Sequence, residues 1–278
     1  MAATSLRISL ALWIVSLGGF LTQRPAQAQF NNTVVVDGTS TTLSGDCSGT
    51  GLCTIDGGAI NGNNIFHTFQ TFSVGDGGVR FRDTDPGTTQ NVIGQITGSS
   101  SSRVNGSITV SADAGTSTDN LFLLNPNGFI FGTGAALNVP GSFVASTAES
   151  VVLDSATLNS GDPNILPLLT FSTSVGVQMG ANSGDITVSG VTLAGSNGQS
   201  LNLIGRNVRL DTGAALQVAG PDGGSIQLQA TDTLTLTDRS TVQVVMTGAG
   251  TGDDRIYLRA IKLRLCPLEP AKVTPETV

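Results

Sequence analysis

Between Asn120 and Gly132 the chain reads N-L-F-L-L-N-P-N-G-F-I-F-G, two apolar runs separated by four turn-forming residues. Asn125, Pro126 and Gly128 stand at the first, second and fourth places of that turn, the order a type I β-turn favours. The pattern predicts two buried strands meeting at one tight corner. A corner in place of a hairpin suits a coil of strands better than a half-exposed meander. Further along, apolar pairs alternate with polar residues at Ile226 and Leu228, Leu234 and Leu236, and Val242 and Val244, with polar or glycine-containing corners between them.

Internal similarity extends the pattern. Gly134 to Val139 (G-A-A-L-N-V) recurs as Gly213 to Val218 (G-A-A-L-Q-V), and G-[S/D]-I-x-[V/L] begins at Gly106, Gly184 and Gly224. Ser200 to Val218 aligns with Ser225 to Val244 at an offset of about 25 residues. One such unit cannot bury its inward side chains alone, whereas units stacked about 4.8 Å apart form a continuous apolar column. The expected fold is therefore all-β, a parallel β-helix (solenoid) of roughly ten turns and about 50 Å. Thr33 to Ile60, with alternating Val34, Val36 and Leu43, is expected to fold across the first turn as an N-terminal β cap, because an open strand edge invites end-to-end stacking. Calcium-binding nonapeptide solenoids need repeated G-G-x-G-x-D runs, and Gly75 to Gly78 and Asp222 to Gly224 do not repeat, so no structural calcium is expected.

The first 28 residues set the compartment. Arg7, an apolar stretch from Ile8 to Leu21 and Ala26-Gln27-Ala28 before Gln29 read as a secretory signal peptide, and about 14 apolar residues fall short of the roughly 20 that span a bilayer. Arg7 and Arg24 leave with it, so 13 basic residues become 11 against 20 acidic, a net charge of −9 that argues against nucleic acid as a partner. An oxidising compartment permits a local disulfide between Cys47 and Cys53, whose intervening glycines let the chain curl back. Cys266 is left over in a lysine-, glutamate- and proline-containing stretch that reads as an irregular tail over residues 266–278.

Chemistry is sparse. Phe66, Phe69 and Phe72, spaced by three and closed by Val74, read as an aromatic plug over the open end of the helix. His67 is the sole histidine and has no second His, thiolate or paired acid in the sequence around it. A β-helical carbohydrate-active enzyme, a polysaccharide lyase or glycosidase, is the alternative class, since it needs clustered carboxylates on neighbouring turns. The candidates, Asp83 with Asp85 and Asp253 with Asp254, sit beside proline or glycine and read as solvated turn acids. No catalytic residue, cofactor or metal ligand is expected.

The segment Asn64 to Val74 (N-I-F-H-T-F-Q-T-F-S-V), then Gln90 to Gly98 (Q-N-V-I-G-Q-I-T-G), Asn105 to Ile108 and Asn120 to Gly132, resembles in order the N-terminal secretion domain of filamentous haemagglutinin-type exoproteins. The family's second signature motif matches Asn125, Pro126, Asn127 and Gly128, and its first would fall near Asn91-Val92-Ile93-Gly94. The resemblance implies a single-stranded right-handed parallel β-helix exported by two-partner secretion and recognised by an outer-membrane transporter through periplasmic POTRA modules. It divides the chain into a signal peptide (1–28), a secretion domain with its cap (29–150), continuing helix turns (151–265) and the tail. The product would be monomeric, secreted or at the cell surface after crossing periplasm and outer membrane, with adhesion to host or cell-surface ligands as its role. As a turn residue Asn125 would contribute one hydrogen bond of about 1 kcal/mol, so its loss is expected to harm secretion more than stability.

Overall fold

The computed structural model describes residues 29–84, 87–113, 117–153, 156–159, 176–180, 183–247 and 254–265, and every regular element among them is a β-strand. The strands wind as a parallel β-helix with three faces. The first face stacks Asn64–Ser73, Asn91–Ile96, Asn120–Leu124, Phe143–Ser146, Ser200–Gly205, Ser225–Ala230 and Arg255–Arg259. The second stacks Ser102–Val104, Phe129–Phe131, Ile186–Ser189, Val208–Asp211, Thr233–Leu236 and Lys262–Leu265. The third runs from Cys53–Gly57 through Val79–Asp83 and Ser107–Ala112 to Ala136–Asn138, and resumes with Thr192–Gly195, Ala215–Gly220 and Thr241–Met246.

About six turns are formed rather than the ten expected, giving a stack about 30 Å long at the usual strand spacing. Apart from one interrupted circuit, each turn consumes 22 to 30 residues between equivalent first-face positions, as in Leu121 to Phe143 and Ser225 to Arg255. The cap consumes further residues, as does an antiparallel excursion, Ser150–Leu153 with Ala156–Asn159 and Gly176–Gln178, which leaves the coil between its first and second faces.

The period-2 alternation places one residue in two on the inner side of each strand. Ile65, Val92, Leu121, Phe143, Leu201 and Ile226 stack in register through the first face, all buried. The repeat read from the sequence is one turn: Ser200 pairs with Ser225, Val208 with Leu234, Leu216 with Val242 and Val218 with Val244. The glycine motif behaves differently. Gly106 precedes a third-face strand, Gly184 a second-face strand and Gly224 a first-face strand, so it marks corners and not one phase of the coil.

The N-terminal segment caps the first turn. Thr33–Val36 runs antiparallel along Asn64–Ser73, and Thr41–Gly45 runs antiparallel along Cys53–Gly57, which itself begins the third face. Cys47 and Cys53 are disulfide-bonded, and the loop they close accepts the outer N–H groups of Asn32 (at Gly49 O, 2.7 Å) and Val34 (at Cys47 O, 3.1 Å). Asn32 is fully buried beneath this loop. Its Nδ2 donates to the carbonyls of Asp46 (3.0 Å), Gly51 (2.6 Å) and Gly78 (3.2 Å), and its Oδ1 accepts the Gly75 N–H (2.8 Å), which ties the cap to the first coil. Gly77 allows the close approach, since a Cβ there would lie 2.1 Å from the Gly51 carbonyl oxygen.

The aromatic plug is two phenylalanines of the expected three. Spacing by three would put Phe66, Phe69 and Phe72 on alternate sides, but Val35 pairs with Thr71 and Val36 with Phe69, so Gln70 is a bulged residue that restores Phe72 to the inner side. Phe69 and Phe72 pack with Phe81, at ring separations of 5.1 to 6.3 Å. Phe66 stacks with Ile93 and Phe122 on the opposite side of the strand from that core, and all three are buried.

His67 is inside as well. Its ring lies 5.5 Å from that of Phe81, its Nδ1 is 3.3 Å from Thr41 Oγ1, and burial lowers its pKa to about 4. The unfolded chain takes up this proton near pH 6.5, so the stability tied to neutral His67 is complete above that pH and is lost as pH falls toward 4. Acidification from pH 7 to 4.5 should therefore cost about 2 kcal/mol more in the wild type than in His67→Leu, by urea unfolding at both pH values. Equal losses in the two proteins would remove His67 as the cause.

Candidate functional site

The Asn125-Pro126-Asn127-Gly128 corner joins the first and second faces in the third coil. Gly128 N–H donates to the Asn125 carbonyl (3.0 Å), closing the β-turn, and Asn127 N–H donates to Asn125 Oδ1 (2.9 Å) inside it. Gly128 has φ +110°, and a Cβ there would lie 2.6 Å from the Asp185 carbonyl oxygen, so both backbone conformation and space require glycine.

The corner also binds the coils on either side. Toward the preceding coil, Asn125 Nδ2 donates to Ser100 O (3.0 Å) and Ser102 Oγ (2.9 Å), and Asn127 Nδ2 donates to Gly98 O (2.7 Å). Toward the following coil, Asn125 N–H donates to Ser146 O (3.0 Å), and Pro126 O accepts the Gly184 N–H (2.6 Å). Asn125 is fully buried, Pro126 is half-buried and Asn127 is exposed. Only Asn127 and the Pro126 edge can meet another molecule directly. Asn125 fixes their position.

A second polar feature lies at the corner that enters the first face. Asn91 Nδ2 donates to Asn64 Oδ1 (2.7 Å), Asn120 Nδ2 donates to Asn91 Oδ1 (2.9 Å), and Asn120 Oδ1 accepts the Ser142 N–H (2.8 Å). This ladder crosses four coils. Asn91, at the place expected for the first signature motif, is thus a buried rung. Three asparagines, each opening a first-face strand at separations of 27 and 29 residues, were the sequence signal for it.

The acids weighed for catalysis divide. Asp83 is not a solvated turn acid: it ends Val79–Asp83 on the inner side with Val79 and Phe81 and is fully buried. Asp254 is exposed, and Asp85 and Asp253 lie outside the described residues. An open depression of about 340 Å³ on the second face is lined by Asp185, Asn207, Arg209 and Arg264 among others. Its one carboxylate, Asp185, is held by Arg206 and Asn207, so it lacks the acid pair of a glycosidase. Among the described residues no three His, Cys, Asp or Glu side chains gather as a metal site.

Among curated proteins, none matches the chain. Among solved structures, a filamentous hemagglutinin secretion domain matches over 84% of this chain and 100% of its own length, at 14% identity and a TM-score of 0.41. The family model described as the TPS secretion domain matches residues 27–258. That span covers the cap, the N-P-N-G corner and nearly all of the stacked coils, and the chain belongs to the TPS secretion domain family, the exported β-helical domain of two-partner-secretion exoproteins.

Proposed function

We propose that this domain is the address and folding nucleus of an adhesin-like exoprotein, with the N-P-N-G corner as its recognition element. Residues 1–28 act as the signal peptide for the periplasm, where POTRA modules of the outer-membrane transporter engage the mature chain. The product is monomeric and non-enzymatic, and its ligands are host or cell-surface molecules. The observation that carries this reading is the division of labour at the corner: Asn125 is buried with its side-chain partners drawn from residues 100–127 of the chain, while Asn127 stands exposed beside it. Contacts so local form early in folding, and the same residues displayed on an unfolded chain are contiguous enough to be read as a peptide.

Co-expression with the matching transporter, scoring protein in the medium, tests it. Asn127→Ala removes exposed amide chemistry while keeping the Asn125 network to Ser100 and Ser102, and should lower secretion about tenfold with the melting midpoint within about 3 °C of wild type. Wild-type secretion of this variant would sink the recognition role of the corner. Secretion that does not depend on the transporter would sink the address function itself.

A further inference from the structure

The strands Arg255–Arg259 and Lys262–Leu265 read R-I-Y-L-R and K-L-R-L, cations alternating with apolar residues. Their register carries Ile256 and Leu258 onto Ile226 and Leu228, and Leu263 onto Leu234. The three residues one coil earlier are fully buried, whereas Ile256, Leu258 and Leu263 are 45%, 43% and 52% exposed. The apolar column of the coil therefore reaches the surface here. Ile261, at the corner between the two strands, is 78% exposed, and Tyr257 is exposed beside it. Of the ten large hydrophobic side chains exposed among the described residues, six fall within residues 256–265, which makes a patch of them and not a scatter.

Charge is concentrated at the same place. Residues 255–265 hold four cations and no acid, in a chain whose net charge is −7. Alternation puts Arg255, Arg259, Lys262 and Arg264 on the outer side of their strands, so that they flank the apolar centre. Lys262 is held by Asp232 (3.1 Å), and Arg255 lies against the Tyr257 hydroxyl (3.2 Å). Among the described residues Arg259 and Arg264 make no side-chain hydrogen bond or ion pair, so both charges are open to an outside partner.

We propose that this end of the coil docks on an anionic phospholipid bilayer. Ile256, Leu258, Ile261 and Leu263 enter the headgroup boundary, Tyr257 sits at headgroup level, and Arg259 and Arg264 meet lipid phosphates. Apolar burial and attraction to anionic lipid add at such an interface, and tyrosine is enriched there. An acidic polypeptide strand fits less well, because the two outermost strands belong to different faces of the coil and one extended strand pairs along only one of them. A second copy fits less well again, since two such ends oppose like charges and the other end of the coil is covered by its cap. The surface lies several coils from the N-P-N-G corner, so its role is independent of recognition there.

Vesicle co-sedimentation of the mature protein is the test. Wild type should pellet with phosphatidylcholine vesicles containing about 30% phosphatidylglycerol at about 0.1 M sodium chloride, and should be released at about 1 M, where charges are screened within a few ångströms. Binding to phosphatidylcholine alone should be at least about tenfold weaker. Each basic residue near an anionic surface strengthens partitioning about fivefold, so Arg259→Gln combined with Arg264→Gln should weaken it about 25-fold. Ile261→Ser, at an exposed corner, should weaken it about tenfold through lost apolar burial and gives a second variant should the first fail to fold. Arg103→Gln, an exposed cation several coils away on the second face, should partition like wild type. Wild type left in the supernatant with anionic vesicles overturns the proposal, and its retention on immobilised polyglutamate would then assign the surface to an acidic protein. Equal pelleting of wild type and the two variants overturns it by placing the lipid contact elsewhere. Release by inorganic phosphate at constant ionic strength overturns it in favour of a site for one phosphate group.

Discussion

Asn125→Ala should lower the unfolding free energy of the mature domain by about 3–5 kcal/mol, several times the cost of one turn hydrogen bond. Its amide donates to Ser100 O and Ser102 Oγ and its Oδ1 accepts from Asn127 N–H and Nδ2. Removing the side chain strands these partners in a site where Asn125 itself is fully buried, and each unsatisfied buried group costs about 1–3 kcal/mol. The expectation that this variant would damage secretion more than stability therefore reverses, because the sequence showed a turn and not the two neighbouring coils bound through it. Asn125→Asp should be nearly as harmful, since a carboxylate cannot donate to the Ser100 carbonyl. Gly128→Ala, forced toward φ +110° and against the Asp185 carbonyl, should cost about 2 kcal/mol or more through a separate mechanism. Urea unfolding of the refolded variants reads all three. A loss below about 1 kcal/mol for Asn125→Ala would mean that Ser100 and Ser102 find other partners or water.

What the sequence made legible was whatever repeats or alternates. Alternation in Ser225–Ala230 and Thr233–Leu236 gave inner and outer sides directly, and the similarity of residues 200–218 to 225–244 gave one circuit of the coil. The N-P-N-G corner was legible because a tight turn imposes residue types on consecutive positions. The turn count was overestimated because strand spacing says nothing about how many residues each circuit consumes. Phe66 and Phe72 were misassigned as a pair because a bulge at Gln70 changes side without altering composition. Asp83 looked solvated beside Thr84, Asp85 and Pro86, yet it is the last inward place of its strand and is fully buried, which the turn-forming residues after it do not reveal. Asn32 had no signal at all: its four partners lie 14 to 46 residues away.

Removing residues 29–60 should convert the mature domain into an aggregating product, the largest effect expected of any change here. Asn64–Ser73 would lose its antiparallel partners Thr33–Val36, Ala59 and Ile60, exposing most of a ten-residue strand edge. At the same time Val79 and Phe81 would lose Cys53 and Ile55, opening the Phe69, Phe72 and Phe81 cluster to water. An unpaired edge beside exposed aromatic surface is the combination that recruits a second chain. Asn32→Ala tests the same attachment without deleting a strand. Losing the four hydrogen bonds of this fully buried side chain should detach the disulfide loop from Gly78 and Gly75 and cost about 3–5 kcal/mol, while the coils from Asn91 onward keep their pairing. Size-exclusion chromatography with circular dichroism separates the outcomes. The truncated chain should elute in large species with a reduced β signal, and Asn32→Ala should remain monomeric with a midpoint lower by about 8–15 °C. A truncated chain that stays monomeric with an unchanged melt would show that the first coil closes itself, and that the N-terminal strands are a leader resting on it and not a cap.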